Sequence, residues 1–320
     1  MKCTCSLIIR SFNEEKHIGK LFEGIKRQSL FSEIEIILVD SGSTDNTVKI
    51  AVQNQVKVVS IKPEEFSFGR ALNKGCEAAN GKYLLFASAH VYPVYTDWIE
   101  KMIQPFENKN IALVYGKQIG NDITKYSEGQ LFKKWFPQDS NYNQDHPFCN
   151  NANAAIRKEL WEDQPFDELL TGLEDLAWAV KIQAKGYKIV YESHAPIVHV
   201  HEESIAKIKN RYMREAIALK RILPNQKMSF LEFVRLSAGN IISDWVHAKH
   251  DGVLAKNLSE IFSFRLMQFW GTYIGLKHGE ADKRLRQRFY YPNDLRKGKI
   301  SEVERQDVER IDYILGNKAQ

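Results

Sequence analysis

Two patterns of hydrophobic and polar residues, one typical of strands and one typical of helices, alternate along the chain as far as about His201. Short runs rich in β-branched residues end at polar or turn residues, and the segments between them carry apolar residues at helical spacing. The predicted strands are residues 7–9, 34–39, 56–59, 83–86, 111–116, 153–156 and 188–191, and the predicted helices are residues 14–28, 44–53, 70–79 and 174–185. We expect His194-Ala195-Pro196 to close the last strand. The alternation predicts an α/β fold, with a Rossmann-like, mostly parallel sheet flanked by helices and ligands at the carboxyl ends of its strands.

Beyond His201, apolar residues recur only at helical spacing. Predicted helices cover residues 205–223, 230–247, 255–276 and 301–315, without a strand candidate between them. Pro224-Asn225 breaks the pattern, so the sequence predicts a main domain over residues 1–224 and a C-terminal all-helical region over residues 225–320. That region would serve membrane docking, acceptor docking or oligomerisation. Residues 261–273 are apolar nearly all round, which favours burial over self-association or a membrane surface.

Composition indicates an ordinary globular protein. Of its 320 residues, 43% are hydrophobic and 27% are charged, and the mean hydropathy is −0.40. No apolar run reaches the roughly 18 residues of a membrane span, and the N-terminal residues do not form a signal peptide. We therefore expect a cytoplasmic protein. Four scattered cysteines exclude a disulfide framework.

Basic residues concentrate towards the C-terminal end, although the formal net charge is only +5. They are Lys277, His278, Lys283, Arg284, Arg286, Arg288, Arg296, Lys297 and Lys299. One interpretation is a solvated helix face. The other is attraction to anionic lipid headgroups or to a phosphorylated acceptor, which would place the protein peripherally on the inner face of the cell membrane. Nucleic acid is not an expected partner.

Polar residues follow the first two predicted strands, where a parallel sheet binds its ligands. Arg10-Ser11-Phe12-Asn13-Glu14 comes after the first strand, and Asp40-Ser41-Gly42-Ser43-Thr44-Asp45 comes after the second. An acidic residue at such a position can bind a base or ribose edge. Ser43-Thr44-Asp45 is also a suitable N-cap for the next helix, and both uses can coexist.

In this order, the first strand, the Asn13-Glu14 pair and the turn at residues 40–45 resemble the opening of family 2 glycosyltransferases, which have the GT-A fold. The resemblance extends over residues 4–222. It implies a nucleotide pocket at the first two turns and a later stretch, residues 69–73, that closes over the nucleotide. The nucleotide-binding residues predicted in this way are Arg10, Phe12, Glu14, Asp40, Ser41, Gly69, Arg70 and Asn73.

The sequence departs from this family after the strand at residues 83–86. The family has an Asp-x-Asp-like motif there, which holds a divalent metal on the donor diphosphate, whereas this chain reads Ser88-Ala89-His90. A serine and a histidine supply at most one good ligand, and they favour softer ions over Mg²⁺. The sequence therefore leaves open whether the protein uses a divalent cofactor, Mn²⁺ or Mg²⁺.

Val198-His199-Val200-His201 supplies two more imidazoles, where related enzymes place a metal-binding or diphosphate-contacting histidine. In an extended segment, His199 and His201 point to the same side. Three interpretations remain: ligation of a metal together with His90, direct contact with the diphosphate in metal-free transfer, and ordinary solvent-facing or hydrogen-bonded histidines. The group assigned to the donor diphosphate or metal is Ser88, His90, His199 and His201.

The pair Glu174-Asp175 resembles the family's Glu-Asp motif at the start of a helix. Inverting displacement at an anomeric carbon needs a carboxylate that takes the proton of the acceptor hydroxyl, and a helix N-terminus keeps such a group ionised. We predict that Asp175 is the base and that Glu174 orients it or binds the acceptor, although the two roles can be exchanged.

The segment over residues 148–157 looks like the family's small-residue strand beside the donor sugar and the acceptor. Asn151 or Asn153 would bind sugar hydroxyls there. Trp178 would stack on a sugar face, although a tryptophan near a helix more often belongs to the core.

These features together predict an inverting glycosyltransferase that moves a sugar from a nucleotide-sugar donor to a glycan or lipid-linked saccharide. The resemblance implies synthesis of bacterial surface polysaccharide, such as O-antigen or capsule. The alternative is a catalytically inactive nucleotide-sugar-binding protein of the same fold, against which the Glu174-Asp175 pair argues. A dehydrogenase is disfavoured because the first strand lacks a Gly-rich phosphate turn.

Overall fold

An eight-stranded mixed sheet forms the centre of the computed structural model, which describes residues 4–277 and 307–313. The strands are β1 (Cys5–Ser11), β2 (Ile34–Asp40), β3 (Lys57–Ser60), β4 (Tyr83–Ser88), β5 (Val91–Pro93), β6 (Ile111–Ile119), β7 (Asn153–Arg157) and β8 (Lys188–His199). Their order across the sheet is β3-β2-β1-β4-β7-β6-β8-β5. The predicted strands are all present, and β5 is an additional one.

Helices cover the sheet and continue beyond it. They are α1 (Ile18–Lys26), α2 (Thr47–Gln53), α3 (Phe68–Glu77), α4 (Trp98–Ile103), α5 (Tyr126–Trp135), α6 (Lys158–Asp163), α7 (Glu174–Ala184), α8 (Ile205–Ile222), α9 (Phe230–His250) and α10 (Leu254–Lys277). The pattern of apolar residues predicted seven of these ten, and α4, α5 and α6 are additional. The predicted helix at 301–315 is wrong for residues 307–313, which are not helical, and its remainder lies outside the described residues.

Strand direction agrees with a mostly parallel sheet that has two reversed strands, β7 inside the sheet and β5 at its edge. β1 runs parallel to β2 and β4, and β6 runs parallel to β8. β7 lies between β4 and β6 and is antiparallel to both, and β5 is antiparallel to β8. Because β7 is reversed, its amino end lies at the same edge of the sheet as the carboxyl ends of β1 and β4.

β8 is longer than its sequence predicts. It continues through His194-Ala195-Pro196 to His199 instead of closing there. Its pairing with β6 shifts register between Gly116 and Gln118, and this irregularity accommodates Pro196, which has no amide hydrogen to donate. The extension carries His199 to the edge of the sheet where the polar residues of β1 and β4 lie.

Apolar side chains fill both faces of the sheet, and a separate cluster joins the later helices. α8 and α10 approach so closely that a Cβ placed on Gly271 would lie 2.3 Å from the Lys209 carbonyl oxygen. Phe264 and Phe269 are fully buried, as predicted for this helix, whereas Phe262 is exposed. α8 precedes Pro224 yet packs against α10, and the division of the chain at residue 224 remains a prediction.

Residues 307–313 return to the sheet beside β5, one of its two edge strands. The Ile311 amide donates to the Val94 carbonyl oxygen at 2.9 Å, and the Thr96 amide donates to the Glu309 carbonyl oxygen at 3.3 Å. Ile311 is buried there. The predicted basic stretch from His278 to Lys299 lies outside the described residues, as does Cys3. None of the described helices combines the length and the apolar character needed to cross a bilayer.

Candidate active site

A cavity of about 630 Å³ opens at the carboxyl ends of β1, β4 and β8, between the sheet and α8. The amino ends of β7 and α7 complete its wall. The structure brings together on this wall the following predicted residues: Arg10, Phe12, Glu14, Ser88, His90, Asn151, Glu174, Asp175, His199 and His201. Residues far apart in sequence therefore meet at the edge of the sheet where an α/β fold binds its ligands.

Three histidines form one cluster in the cavity. The ring centroids of His199 and His201 lie 4.0 Å apart, as expected for alternate residues of an extended segment, and His90 lies 5.1 Å from His199. One ring nitrogen from each histidine lies within 4.8 Å of the others. The three imidazoles are thus close enough to share one ion.

Each of these imidazoles is oriented by an oxygen acceptor at Nδ1. His90 Nδ1 lies 2.7 Å from Glu14 Oε1, and His201 Nδ1 lies 2.7 Å from Glu128 Oε1. His199 Nδ1 lies at the same distance from Gln118 Oε1, while its buried Nε2 has no hydrogen-bond partner. A carboxylate or amide at one ring nitrogen, with the other left free, is the usual environment of a metal-binding histidine.

The pKa shifts in this cluster fall on His199 and on Glu128. Burial, followed by the neighbouring His201, lowers the pKa of His199 well below its usual range, so its imidazole is uncharged at neutral pH. His201 and Arg211 hold the pKa of the buried Glu128 at about 2, against the opposing effect of burial. An all-imidazole set fits a transition ion such as Mn²⁺ or Zn²⁺ better than Mg²⁺, which prefers oxygen ligands.

Asp175 and Glu174 lie at the start of α7 and face the same cavity. Leu173, directly before them, has a left-handed backbone (φ 56°), a strained conformation for a residue with a side chain. The backbone N–H groups of Asn151 and Leu176 donate to the Asp175 carboxylate at 2.9 Å and 2.8 Å. Burial and the charge of Glu174 nonetheless raise the pKa of Asp175 to about 7. A carboxylate with this pKa is suited to general-base catalysis near neutral pH.

The two acids differ in their partners. Arg10 Nη1 donates to Glu174 Oε1 at 3.0 Å, so Glu174 has an ion-pair partner that partly offsets its charge. Asp175 has no ion pair among the described residues. This asymmetry supports the assignment of Asp175 rather than Glu174 as the base, and the nucleotide contact of Arg10 stays a prediction.

The asparagines near β7 have different environments. Asn151 lies on the cavity wall, and both polar atoms of its buried side chain lack a hydrogen-bond partner. Asn153 is fully used: its Nδ2 donates to the carbonyl oxygens of Ala195 and Lys117, and its Oδ1 accepts from the Trp98 indole. The structure therefore favours Asn151 for hydroxyl binding and corrects the prediction for Asn153.

Trp178 is also corrected. It is 2% exposed, belongs to the apolar core beneath the sheet, and donates its indole N–H to the Gln164 carbonyl oxygen. It does not line the cavity, because its ring packs into the core beside Phe166. A sugar cannot stack on it without opening the core.

Five predicted nucleotide-binding residues lie outside the cavity wall: Asp40, Ser41, Gly69, Arg70 and Asn73. Asp40 accepts from the amides of Gly42 and Ser43 and holds its own turn. The Asn73 side chain accepts a hydrogen bond from the Trp161 indole N–H and donates one to the Phe166 carbonyl oxygen, so it is part of the packing.

Gly69 and Arg70 complete this set. A Cβ on Gly69 would lie 2.3 Å from the Asp167 carbonyl oxygen. Arg70 pairs with Glu65 and Glu168 on the surface. Glu14 and Phe12 do reach the cavity, where Glu14 holds His90 and Phe12 is 56% exposed with an open ring face.

Several cavity residues were not predicted, among them Phe68, Lys207, Arg211 and Arg214. The three basic residues follow one another at intervals of four and three, which places them on one face of α8. Their spacing within a predicted helix was the available signal. Only the tertiary fold shows that this face covers the cavity.

A Rossmann-like, mostly parallel sheet, a cavity at the carboxyl ends of its strands and an acidic pair at the start of α7 are features of the GT-A class of glycosyltransferases. Residues 6–164 match the family described as glycosyl transferase family 2. The chain belongs to this family, which confirms the resemblance read from its motifs.

Two relatives are O-antigen chain rhamnosyltransferases from Salmonella. WbaN of Salmonella anatum is 26% identical over 189 residues, covering 56% of this chain and 60% of that protein. RfbN of Salmonella typhimurium is 25% identical over 225 residues, covering 66% of this chain and 70% of that protein. The chain thus spans about two thirds of the length of these relatives.

Solved structures share the fold. The mannosyltransferase PcManGT from Pyrobaculum calidifontis, in complex with GDP-Man and Mn²⁺, superposes with a TM-score of 0.58 at 16% identity and covers 84% of each chain. Staphylococcus aureus TarS in complex with UDP-GlcNAc gives a TM-score of 0.53 at 18% identity, covering 82% of this chain and 73% of that one. These likenesses confirm the predicted GT-A architecture with helices at the C-terminal end.

Proposed function

We propose that the protein is an inverting glycosyltransferase that moves a sugar from a nucleotide-sugar donor to a glycan or lipid-linked saccharide in O-antigen or capsule synthesis. The observation that carries the proposal is Asp175, a carboxylate without an ion pair and with a pKa of about 7, in the same cavity as three clustered imidazoles. The O-antigen relatives support the acceptor class.

The mechanism is a single in-line displacement. Asp175 takes the proton of an acceptor hydroxyl as that oxygen attacks C1 of the donor sugar. The bond between C1 and the diphosphate oxygen breaks with inversion at C1, and the nucleoside diphosphate leaves. Asn151 orients sugar hydroxyls, while Arg10 and Glu174 hold the base in place.

His90, His199 and His201 would hold a divalent metal, which supplies charge neutralisation for the leaving diphosphate when it is bound. The free, buried Nε2 of His199 supports this assignment. The solved structure of PcManGT, which contains GDP-Man and Mn²⁺, also supports it.

A hydrolysis and transfer screen tests the proposal. Wild-type protein is incubated with UDP-, GDP-, dTDP- and CMP-activated sugars in the presence of Mn²⁺, Mg²⁺ or EDTA, and nucleotide release is measured. We expect release from one donor, a loss of about 10² to 10⁴-fold in Asp175→Asn, and little change in the surface control Asp163→Asn. Tight nucleotide binding without turnover, even when lipid-linked saccharides are added, would favour the binding-protein alternative.

We also propose that the protein works in the cytoplasm and contacts the inner membrane face peripherally through α9. Its outer face presents Leu231, Val234, Ile242 and Val246, which are 77%, 44%, 56% and 62% exposed at helical spacing. The exposed residues of α9 include Arg235 and Lys249 but no acidic residue. An apolar stripe with a basic border suits an anionic lipid surface.

Vesicle sedimentation tests this contact. The double variant Ile242→Ser/Val246→Ser should lose binding to vesicles that contain phosphatidylglycerol, whereas Val52→Ser, which changes an equally exposed valine on α2, should bind as the wild type does. Unchanged vesicle binding together with a change from dimer to monomer would instead assign the stripe to self-association.

A further inference from the structure

Of the five lysines and arginines that line the cavity, three form ion pairs with carboxylates, and Lys207 and Arg214 form none among the described residues. The pairs are Arg10–Glu174 at 3.0 Å, Lys16–Glu202 at 2.9 Å, and Arg211 with Glu128 at 2.8 Å and Glu203 at 2.6 Å. Arg214 differs from the other two arginines, because it forms no ion pair with any residue in the described part of the chain. Its Nε is also buried without a hydrogen-bond partner. Arg214 is therefore the one guanidinium on the described wall without an ion pair, although the more distant carboxylates of Glu215 and Glu174 still attract its charge.

The position of this guanidinium is fixed by an aromatic ring. Arg214 Cζ lies 4.4 Å from the centroid of Phe68, and Arg10 Cζ lies 4.9 Å from the same centroid. Arg10 is paired with Glu174, so Phe68 supports one paired and one unpaired cation. Stacking on a ring leaves the N–H groups at the edge of the guanidinium free to donate.

Arg214 also lies close to the residues assigned to chemistry. A Cβ on Gly172 would be 3.6 Å from Arg214 Nε, and Gly172 precedes the acidic pair by two residues. Lys207 and Arg211 lie on the same face of α8, at the preceding turns. A ligand bound beside Asp175 therefore lies in the same cavity as three basic side chains of α8, and Arg214 is the guanidinium among them that forms no ion pair with a described residue.

We propose that Arg214 binds a phosphoryl group of a substrate, an inference that rests on the proposed glycosyltransferase function. A planar guanidinium donates two parallel hydrogen bonds to a phosphate, and partial burial strengthens them. Two sources carry this chemistry: the diphosphate of the nucleotide-sugar donor and the diphosphate that links a saccharide acceptor to its lipid. Both are compatible with a cation next to the acidic pair.

Calorimetric titration with inorganic pyrophosphate tests the inference in the full-length protein. Arg214→Gln should weaken pyrophosphate binding at least tenfold, and Arg214→Lys should weaken it less because a point charge remains. Lys220→Gln removes a cation from the same helix away from the cavity and should leave binding unchanged. Equal affinities of wild type and Arg214→Gln, or no pyrophosphate binding to the wild type, would overturn the assignment.

Nucleoside diphosphates distinguish the two sources. If Arg214→Gln also loses at least tenfold affinity for the best-binding member of UDP, GDP and dTDP, the site belongs to the donor. If nucleotide affinity is unchanged in Arg214→Gln, and the nucleotide-loaded wild type still binds pyrophosphate while the loaded variant does not, the site belongs to the acceptor. Arg214→Lys provides the same readout if the glutamine variant does not fold. A failure of the proposed function is separate, since it would show as no nucleotide binding by the wild type.

Discussion

At the residue scale, the pKa of Asp175 makes activity depend on pH. A base must be unprotonated, and the pKa of about 7 means that Asp175 carries a proton in most molecules below that pH. We expect kcat/KM to fall about tenfold per pH unit below pH 7 and to level off above it. A rate profile from pH 5 to pH 9 measures this, and a profile that stays flat down to pH 5 would contradict the assignment of Asp175 as the base.

The histidine cluster gives a second prediction at this scale. Glu128 touches no substrate in the proposed mechanism, but it orients His201 through Nδ1. Glu128→Gln should therefore weaken Mn²⁺ or Zn²⁺ binding about 10 to 100-fold, and His199→Ala should weaken it further. Titration calorimetry with each ion provides the measurement.

His194→Ala is the matched control for this metal experiment, because His194 is exposed and pairs with Glu192 away from the cluster. Its metal affinity should equal that of the wild type. Equal affinities in all four proteins would show that the imidazoles serve another purpose, such as direct contact with the diphosphate.

Single residues also show how far the sequence alone could lead. The two-residue period of an extended strand predicted that His199 and His201 share a side, and the helix start predicted the place of Asp175. Asp40, Asn73 and Asn153 have side chains equally suited to bind a nucleotide or a sugar. In the structure, however, each forms hydrogen bonds with nearby backbone or side-chain groups. Hydrogen-bond partners of this kind depend on tertiary contacts that no local pattern contains.

At the element scale, the packing of α8 against α10 depends on close backbone approach. Gly271 lies against the backbone of Lys209, and Gly271→Ala should lower the free energy of unfolding by about 1–3 kcal/mol because the two helices must move apart. Gly239, on the outer face of α9, has nothing within 4 Å of its ideal Cβ. Gly239→Ala should stabilise by about 0.5–1 kcal/mol, since alanine is the better helix former.

Thermal and urea unfolding of the two variants check this pair. Opposite signs are expected from the same chemical change. If both substitutions were neutral, the close contact between α8 and α10 would not be present in solution.

The elements also show why some predictions were incomplete. Strands and helices with clear periodicity were found, but direction is not part of a periodic pattern, so β7 gave no sign of running antiparallel. β5 is only three residues long and too short to show a period. β8 passes through a proline that the sequence alone marks as an end, because the bulge that accommodates it is made with β6.

At the scale of the whole molecule, residues 307–313 join the C-terminal part of the chain to the sheet. Ile311 is buried and Tyr313 donates its hydroxyl hydrogen to the Pro93 carbonyl oxygen. Ile311→Ala should lower the free energy of unfolding by about 2 kcal/mol. Leu169→Ala, at a leucine that is 72% exposed, should change it by less than about 0.5 kcal/mol.

Urea unfolding followed by tryptophan fluorescence gives both values. A loss at Ile311 no larger than that at Leu169 would mean that the segment is not docked in solution.

The docking of that segment has a consequence for how the protein is made. Tyr313 and Pro93 are 220 residues apart in sequence. At a synthesis rate of 5–20 residues per second, roughly 10–40 s pass between the emergence of the two partners. During that interval Val94 and Thr96 cannot form their bonds to residues 309–311. The nascent chain therefore presents unpaired backbone groups next to the edge strand β5. A chaperone that shields this edge would act before residues 309–311 have emerged.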